Sequence, residues 1–236
     1  MNRTGFLAAS ASIAAAGSAS KGLAQAVPGG SHFVERRADF DIANFAKVVA
    51  RPAKIRQVFE QIAFKPGVWS NIKNSMNGLQ FGFGHKPEDI VIAFGGHGPS
   101  AAYGYTQAMW DKYKLGDFYP LKDAQGTTVS TNSFVAAKAP YDVKAEPDDP
   151  NGMYQDTSNE MLQKRGLVFL TCHTAVEEQA RNIVKAGNAP AGMAAKDVAD
   201  DLLTHLIPGA LVVPSMVATM AVLQHEHGYT YAALTF

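Results

Sequence analysis

The sequence predicts an α/β fold built around an open, mostly parallel sheet, because short apolar runs alternate with segments of helical periodicity from about residue 45 onward. The clearest runs are residues 90–94 (IVIAF) and 167–171 (LVFLT), and uninterrupted runs of this kind are typical of parallel strands covered on both faces. Before the first of these runs, Trp69, Ile72 and Met76 recur at steps of three or four, which predicts one apolar face of a helix. The alternation therefore indicates βα units.

Five strands follow from this pattern, with helices on both faces of the sheet. The strands are predicted at residues 45–49, 90–94, 167–171, 210–213 and 229–236, and the helices at about 69–83, 106–113, 158–164, 174–187, 197–206 and 215–228. An open, mostly parallel sheet of five strands with intervening helices is a flavodoxin-like arrangement.

The first 26 residues have the layout of a secretory signal peptide. Their only charged residues are basic, residues 6–16 are apolar or small, and Ala24-Gln25-Ala26 fits an A-x-A cleavage site. The apolar run is too short to span a bilayer. Cleavage is predicted after Ala26, on a Sec or a degenerate twin-arginine signal, and the mature protein is expected in the periplasm.

The mature chain would consist of a short lead-in and one domain. Residues 27–41 are predicted to be a flexible lead-in, and residues 42–236 to form the α/β domain. Without the signal peptide the chain has 19 basic and 21 acidic residues, a net charge of −2, and no long basic run. This balance argues against binding to nucleic acid and against attachment to a membrane after signal cleavage.

Residues 115–152 interrupt the regular pattern with several prolines and glycines. A connection of this length is often a lid or a binding loop. A surface insertion with no role is the alternative, and the sequence leaves both open.

Functional residues of open α/β sheets gather beyond the carboxyl ends of the strands. Three predicted loops qualify: the glycine-rich turn around His97, the residues after strand 167–171, and Pro214-Ser215. The residues predicted to bind a ligand there are Gly95, Gly96, Gly98, Thr174 and Ser215. Glycines permit positive φ angles and a close approach of backbone to ligand, although a tight turn without a ligand needs them equally.

Cys172 is the only cysteine of the chain, so no internal disulfide can form. Thr174 and Glu177 fit a capping box, which predicts that a helix begins at Thr174 with Cys172 near its positive end. This position and the neighbouring His173 would favour the thiolate, the nucleophilic form of cysteine. The alternative is a buried structural cysteine, a common role for a single cysteine.

The candidate catalytic residues are Cys172, His173 and His97. His97 would orient or deprotonate a group near the thiol, and its alternative is a solvated loop histidine. Motifs for haem, for a Walker A loop and for a dinucleotide are absent from the sequence, so no cofactor is predicted. No metal site is assigned either, because the adjacent Cys172 and His173 would rarely both face one ion.

The segments LVFLTCHTA (residues 167–175) and ALVVPSMVATMAVLQHEHGYTY (residues 210–231) resemble the DsrE/DsrF-like family of sulfur-relay proteins. The resemblance extends over about residues 42–236, with residues 115–152 unmatched. It implies a flavodoxin-like core, assembly into oligomers, and a persulfide carried on Cys172. His97 and His173 are candidates from the residue pattern alone.

The sequence therefore predicts an exported DsrE-like protein that binds a small sulfur species or a thiol partner protein, with Cys172 as acceptor. A homo-oligomer is expected, because the closing strand would lie at a sheet edge that needs cover. Two alternatives stay open. One is a non-catalytic ligand-binding or oligomeric protein with a structural cysteine, and the other is a metal-binding protein using His97, Cys172 and His173.

Overall fold

A parallel sheet of five strands forms the centre of the computed structural model, which describes residues 34–119, 122, 126–132, 134–141 and 146–232. The predicted signal peptide, its cleavage site after Ala26 and the first part of the lead-in lie outside the described residues. Within the described part of the chain, no helix has the length and apolar character needed to cross a membrane.

The sheet confirms the predicted α/β class of fold. Its strands are β1 (Ile55–Gln61), β2 (Ile90–Gly96), β3 (Leu167–Cys172), β4 (Leu211–Val213) and β5 (Thr230–Ala232), in the order β4-β3-β2-β1-β5. All four neighbouring pairs are parallel. The sheet is thus open and flavodoxin-like in class, with β4 and β5 as its edge strands.

Eight helices accompany the strands in the described residues. They are α1 (Ile42–Val49), α2 (Gly67–Asn77), α3 (Gln107–Tyr113), α4 (Leu115–Phe118), α5 (Asn159–Lys164), α6 (His173–Lys185), α7 (Ala195–Thr204) and α8 (Met216–His227). A π-helical turn, Gly78–Gly82, extends α2, and the predicted helix over residues 69–83 corresponds to the two together. A 3₁₀ turn, Gly98–Gly104, follows β2.

The first predicted strand is wrong. Residues 45–49 lie in α1, which begins where the Asp41 carboxylate accepts a hydrogen bond from Asn44 N at 3.0 Å, and which buries Phe45 and Val49 four residues apart. The first strand is instead β1, with the sequence IRQVFEQ. Its polar residues break the apolar run that identifies the other central strands.

Both faces of the sheet are covered, as predicted. One face carries Val58 and Ala93, which pack with α1 and with Met216, Met220 and Leu223 of α8. The opposite face carries an aromatic cluster that includes residues of β1, β2, β3 and α2: Phe59, Phe94, Phe169 and Trp69. A third cluster joins α3, α6 and α7. Burial of this apolar area is the main stabilising contribution.

The parallel register brings the carboxyl ends of four strands together. Gln61 of β1 lies opposite Gly96 of β2, Gly96 lies opposite Thr171 of β3, and Cys172 lies opposite Val213 of β4. We call this edge, with the turns that leave it, the carboxyl rim.

The 115–152 stretch begins with α4 and contains one described bridge, between Lys122 and Thr128. Its Asn132 side chain donates hydrogen bonds to the carbonyls of Tyr103 and Tyr105, at 3.1 and 2.9 Å. These bonds tie the described part of the insertion to the turn that follows β2.

Candidate functional site

The Cys172 sulfur lies where two helices begin. Cys172 is the last residue of β3 and the N-cap of α6, and its Sγ accepts a hydrogen bond from the N–H of Met216, the first residue of α8, at 3.3 Å. The positive ends of both helix dipoles therefore point toward the sulfur, and each favours negative charge there.

Cys172 is nevertheless buried, with 4% of its surface exposed. Burial raises the pKa of the thiol, because the charged thiolate loses its hydration. The N–H groups of Ala175 and Met216 and the hydroxyl of Thr174 oppose this rise, whereas the nearby Glu35 carboxylate adds to it. Burial outweighs the donors, so the resting group is the neutral thiol and the predicted thiolate is disfavoured.

The predicted capping box is wrong in its register. The helix α6 begins at His173, so Thr174 lies in its first turn rather than at the N-cap. The Thr174 hydroxyl donates to the carbonyl of Pro214 at 2.9 Å and lies 3.3 Å from Glu35 Oε1. Thr174 thus joins α6 to the turn that leads into α8.

His173 is held by residues of the lead-in. Its Nδ1 lies 2.8 Å from Glu35 Oε1, and the ring of Phe40 packs edge-on against the imidazole with centroids 5.3 Å apart. Residues 35–40 therefore cover the end of β3 and include a 3₁₀ turn, Arg37–Asp39. Sequence reasoning missed both partners, because nothing in the local pattern connects the lead-in to His173.

His97 follows β2 in an extended conformation and has its own carboxylate partner. Its Nε2 lies 2.9 Å from Glu60 Oε1, and the other oxygen of Glu60 accepts a hydrogen bond from the Tyr231 hydroxyl at 2.7 Å. The side chain of His97 is 15% exposed, so the predicted alternative of a fully solvated loop histidine does not describe it.

Packing and backbone conformation explain the three glycines near His97. A Cβ at residue 95 would lie 2.6 Å from Met216 Sδ, and a Cβ at residue 96 would lie 3.0 Å from the Phe94 ring. Gly98 has a φ of +56° and needs the left-handed conformation to turn the chain. Side chains of the fold occupy the space beside Gly95 and Gly96, so their lack of a Cβ is accounted for without a ligand.

A buried amide connects the turn after β2 to α6. Gln179 is 4% exposed, and its Nε2 donates to the carbonyl of Gly98 while its Oε1 accepts from the Tyr105 hydroxyl. Sequence reasoning did not single out Gln179, whose position on an otherwise amphipathic helix carries no signal. Ser215 is half-buried at the N-cap of α8, and its side chain makes no capping hydrogen bond there.

The three residues of the predicted metal alternative do not form one ligand set. Among the described residues, the group of three that gathers potential ligand atoms within 4.8 Å of one another is Glu35, His173 and Glu177. His97 and Cys172 are not members of this group, since His97 is paired with Glu60 and the Cys172 sulfur is directed to the start of α8.

Comparison of the chain with protein-family models, with curated proteins and with solved structures finds no match.

Proposed function

We propose that this protein binds a small sulfur species or a thiol partner at the carboxyl rim and carries one sulfur atom as a persulfide on Cys172. The observation that supports the proposal is the place of the Cys172 sulfur at the start of both α6 and α8, with Met216 N donating to it at 3.3 Å. A terminal persulfide sulfur is anionic, and helix N-termini bind anions.

The transfer needs no oxidant if the donor already contains sulfane sulfur. The Cys172 thiolate attacks the outer sulfur of thiosulfate, a new S–S bond forms, the S–S bond of thiosulfate breaks, and sulfite leaves with the electron pair. The proton of the thiol is released before attack. Delivery to a partner thiolate reverses the roles, since the partner attacks the outer sulfur and Cys172 leaves as thiolate.

The buried thiol must become accessible for this reaction. Glu35 and Phe40 lie over the end of β3, and the charge of Glu35 raises the pKa of Cys172. In the proposed cycle, displacement of the lead-in by a donor or a partner exposes the sulfur and removes that carboxylate. The helix termini then favour the thiolate.

The resemblance to DsrE/DsrF-like proteins leads to the further proposal of an exported, periplasmic homo-oligomer. Apolar side chains near the carboxyl rim are available for contact: Val217 is 68% exposed, Ile62 is 59% exposed, and Tyr231 of the edge strand β5 is 43% exposed. Light scattering at micromolar protein concentration tests for the oligomer. The mass of a monomer at that concentration would contradict it.

The burial of Cys172 favours a second candidate, a non-catalytic protein in which the cysteine is structural. An inert cysteine at the centre of an apolar cluster needs no further role. The two functions differ in one measurable property, which is whether the native thiol reacts.

Intact-mass analysis tests the proposed function. The native protein, incubated with thiosulfate or inorganic polysulfide, should gain the mass of one sulfur atom, and dithiothreitol should remove it. Cys172→Ser should gain nothing. If the wild-type protein gains sulfur only after unfolding, the carrier function is wrong and the structural cysteine replaces it.

A further inference from the structure

Glu35, His173 and Glu177 form a compact group of nitrogen and oxygen donors beside the carboxyl rim. One potential ligand atom from each residue lies within 4.8 Å of the other two. The side chains of Glu35, His173 and Glu177 are only 16%, 11% and 15% exposed. This group is therefore largely withdrawn from solvent, unlike most surface carboxylates.

Two separate parts of the chain build the group. His173 and Glu177 are four residues apart on α6, so they share one face of the helix. Glu35 comes from the lead-in, 138 residues earlier than His173, and is brought in with Phe40, whose ring packs against the imidazole. The Phe40 ring restrains the orientation of the imidazole, as a metal-binding histidine requires.

The contacts within the group leave negative charge only partly compensated. Two carboxylates converge on one imidazole, and His173 Nδ1 lies 2.8 Å from Glu35 Oε1. Arg181 forms an ion pair with Glu177, with its Nη1 3.7 Å from Oε2, so one positive charge faces the two carboxylates. Neighbouring carboxylates repel each other when both are ionised, and a cation between them would relieve that repulsion.

We propose that Glu35, His173 and Glu177 bind one divalent transition-metal ion, of which zinc is the best-fitting example. One imidazole nitrogen and two carboxylate oxygens match a three-ligand zinc site with an open fourth position. Calcium and magnesium prefer oxygen ligands alone and fit the group less well. Cys172 is not a ligand, but the site shares Glu35 with the lead-in that covers the thiol, so a bound metal ion would hold that cover in place.

Isothermal titration of zinc chloride into the chelator-stripped full chain, without a histidine tag, tests the proposal. One zinc ion per chain is expected. Glu177→Gln should weaken binding at least about tenfold, since zinc sites lose about 10–100-fold in affinity when a supporting residue is changed, and a direct ligand should matter no less. The His173 to Glu35 contact does not involve Glu177, so this variant should keep that pair.

Two control variants test whether zinc binds instead to an exposed carboxylate or to the thiol. Glu178→Gln changes an exposed carboxylate at the next position of α6 and should leave the affinity unchanged. Cys172→Ser should also leave it unchanged, and the cobalt-substituted protein should show no thiolate-to-cobalt charge-transfer band. Wild-type affinity in Cys172→Ser together with loss in Glu177→Gln supports the site.

Three results would overturn the proposal: no zinc binding by the wild-type chain, equal binding by Glu177→Gln and wild type, or binding that disappears in Cys172→Ser. His173→Asn should also weaken zinc binding, and circular dichroism confirms that this variant is folded. Because sulfur loading is measured separately by mass, failure of the metal site leaves the carrier function untouched, and the reverse also holds.

Discussion

The ends of β2 and β3 are neighbours on the carboxyl rim, and each carries a histidine held by a glutamate, yet their backbones differ. The end of β3 enters the 13-residue helix α6 directly, so Cys172 is both strand end and helix cap. The end of β2 continues through the extended His97 into the 3₁₀ turn Gly98–Gly104. Only the β3 end places a side chain where helix termini favour negative charge.

Similar sequence patterns at two strand ends can therefore serve different purposes. Glycines and a histidine follow β2, but their conformations are explained by Met216, Phe94 and Glu60. At the end of β3, two helices begin at one buried sulfur.

The largest effect is expected on the reactivity of Cys172. The native thiol should react with iodoacetamide at least about a hundredfold more slowly than the thiol unfolded in urea, which corresponds to a local opening of about 2.7 kcal/mol. Quenched labelling followed by mass analysis measures both rates. Equal rates would show that the β3 end is open in solution.

The packing of β2 against α8 gives the second prediction. Gly95→Ala should destabilise the fold by about 1–3 kcal/mol, because the new Cβ would overlap Met216 and Met220. Gly78→Ala is the matched control, since Gly78 has a helical φ of −60° and a Cβ added there would meet no atom within 4 Å apart from its chain neighbours and the backbone of its own helix. It should be neutral or add up to about 1 kcal/mol of stability. Urea denaturation compares the two, and equal destabilisation would contradict the packing explanation.

Two matched variants compare the glutamates that contact the histidines at the ends of β3 and β2. Glu35→Gln should raise the native labelling rate of Cys172 by about two- to tenfold, because a neutral amide weakens the contact with His173 by about 0.5–1.5 kcal/mol and removes the carboxylate that raises the pKa of the thiol. Glu60→Gln makes the same change at the partner of His97 and should not change that rate. Both are measured with chelator present, and similar acceleration in both would show that the lead-in does not control access.

The smallest effect concerns the Tyr231 to Glu60 hydrogen bond at the β2 end. This bond raises the pKa of Tyr231 to about 12, above its ordinary value of 10.0, because it favours the neutral phenol. Its contribution is therefore present below pH 10 and disappears as the pH rises through about 12. Tyr231→Phe should cost less than about 0.5 kcal/mol at pH 8, since Tyr231 is 43% exposed. Urea denaturation of the two proteins at pH 8 should show this small difference, and a much larger one would indicate that β5 depends on this bond.

The residue pattern was sufficient for the class of fold and for the position of the rim. Residues 90–94 and 167–171 are apolar without interruption because β2 and β3 are central and covered on both faces, and this property is local. Strand β1 was not predicted, because several of its residues are polar. Gln57, Glu60 and Gln61 contact Ser75, His97 and Lys65, respectively. The partners in these contacts lie outside β1, so the sequence of the strand shows no regular apolar pattern.

The residue pattern alone places Cys172 and His97 at the ends of neighbouring parallel strands, and hence on one rim. The burial of the thiol, the start of α8 at its sulfur, and the contacts of Glu35 and Glu60 with the two histidines became visible only in the folded chain. The reason is physical. Strand and helix periodicity arise from neighbours a few residues apart, whereas burial and charge at the site arise from segments joined only when the sheet closes against α8 and the lead-in.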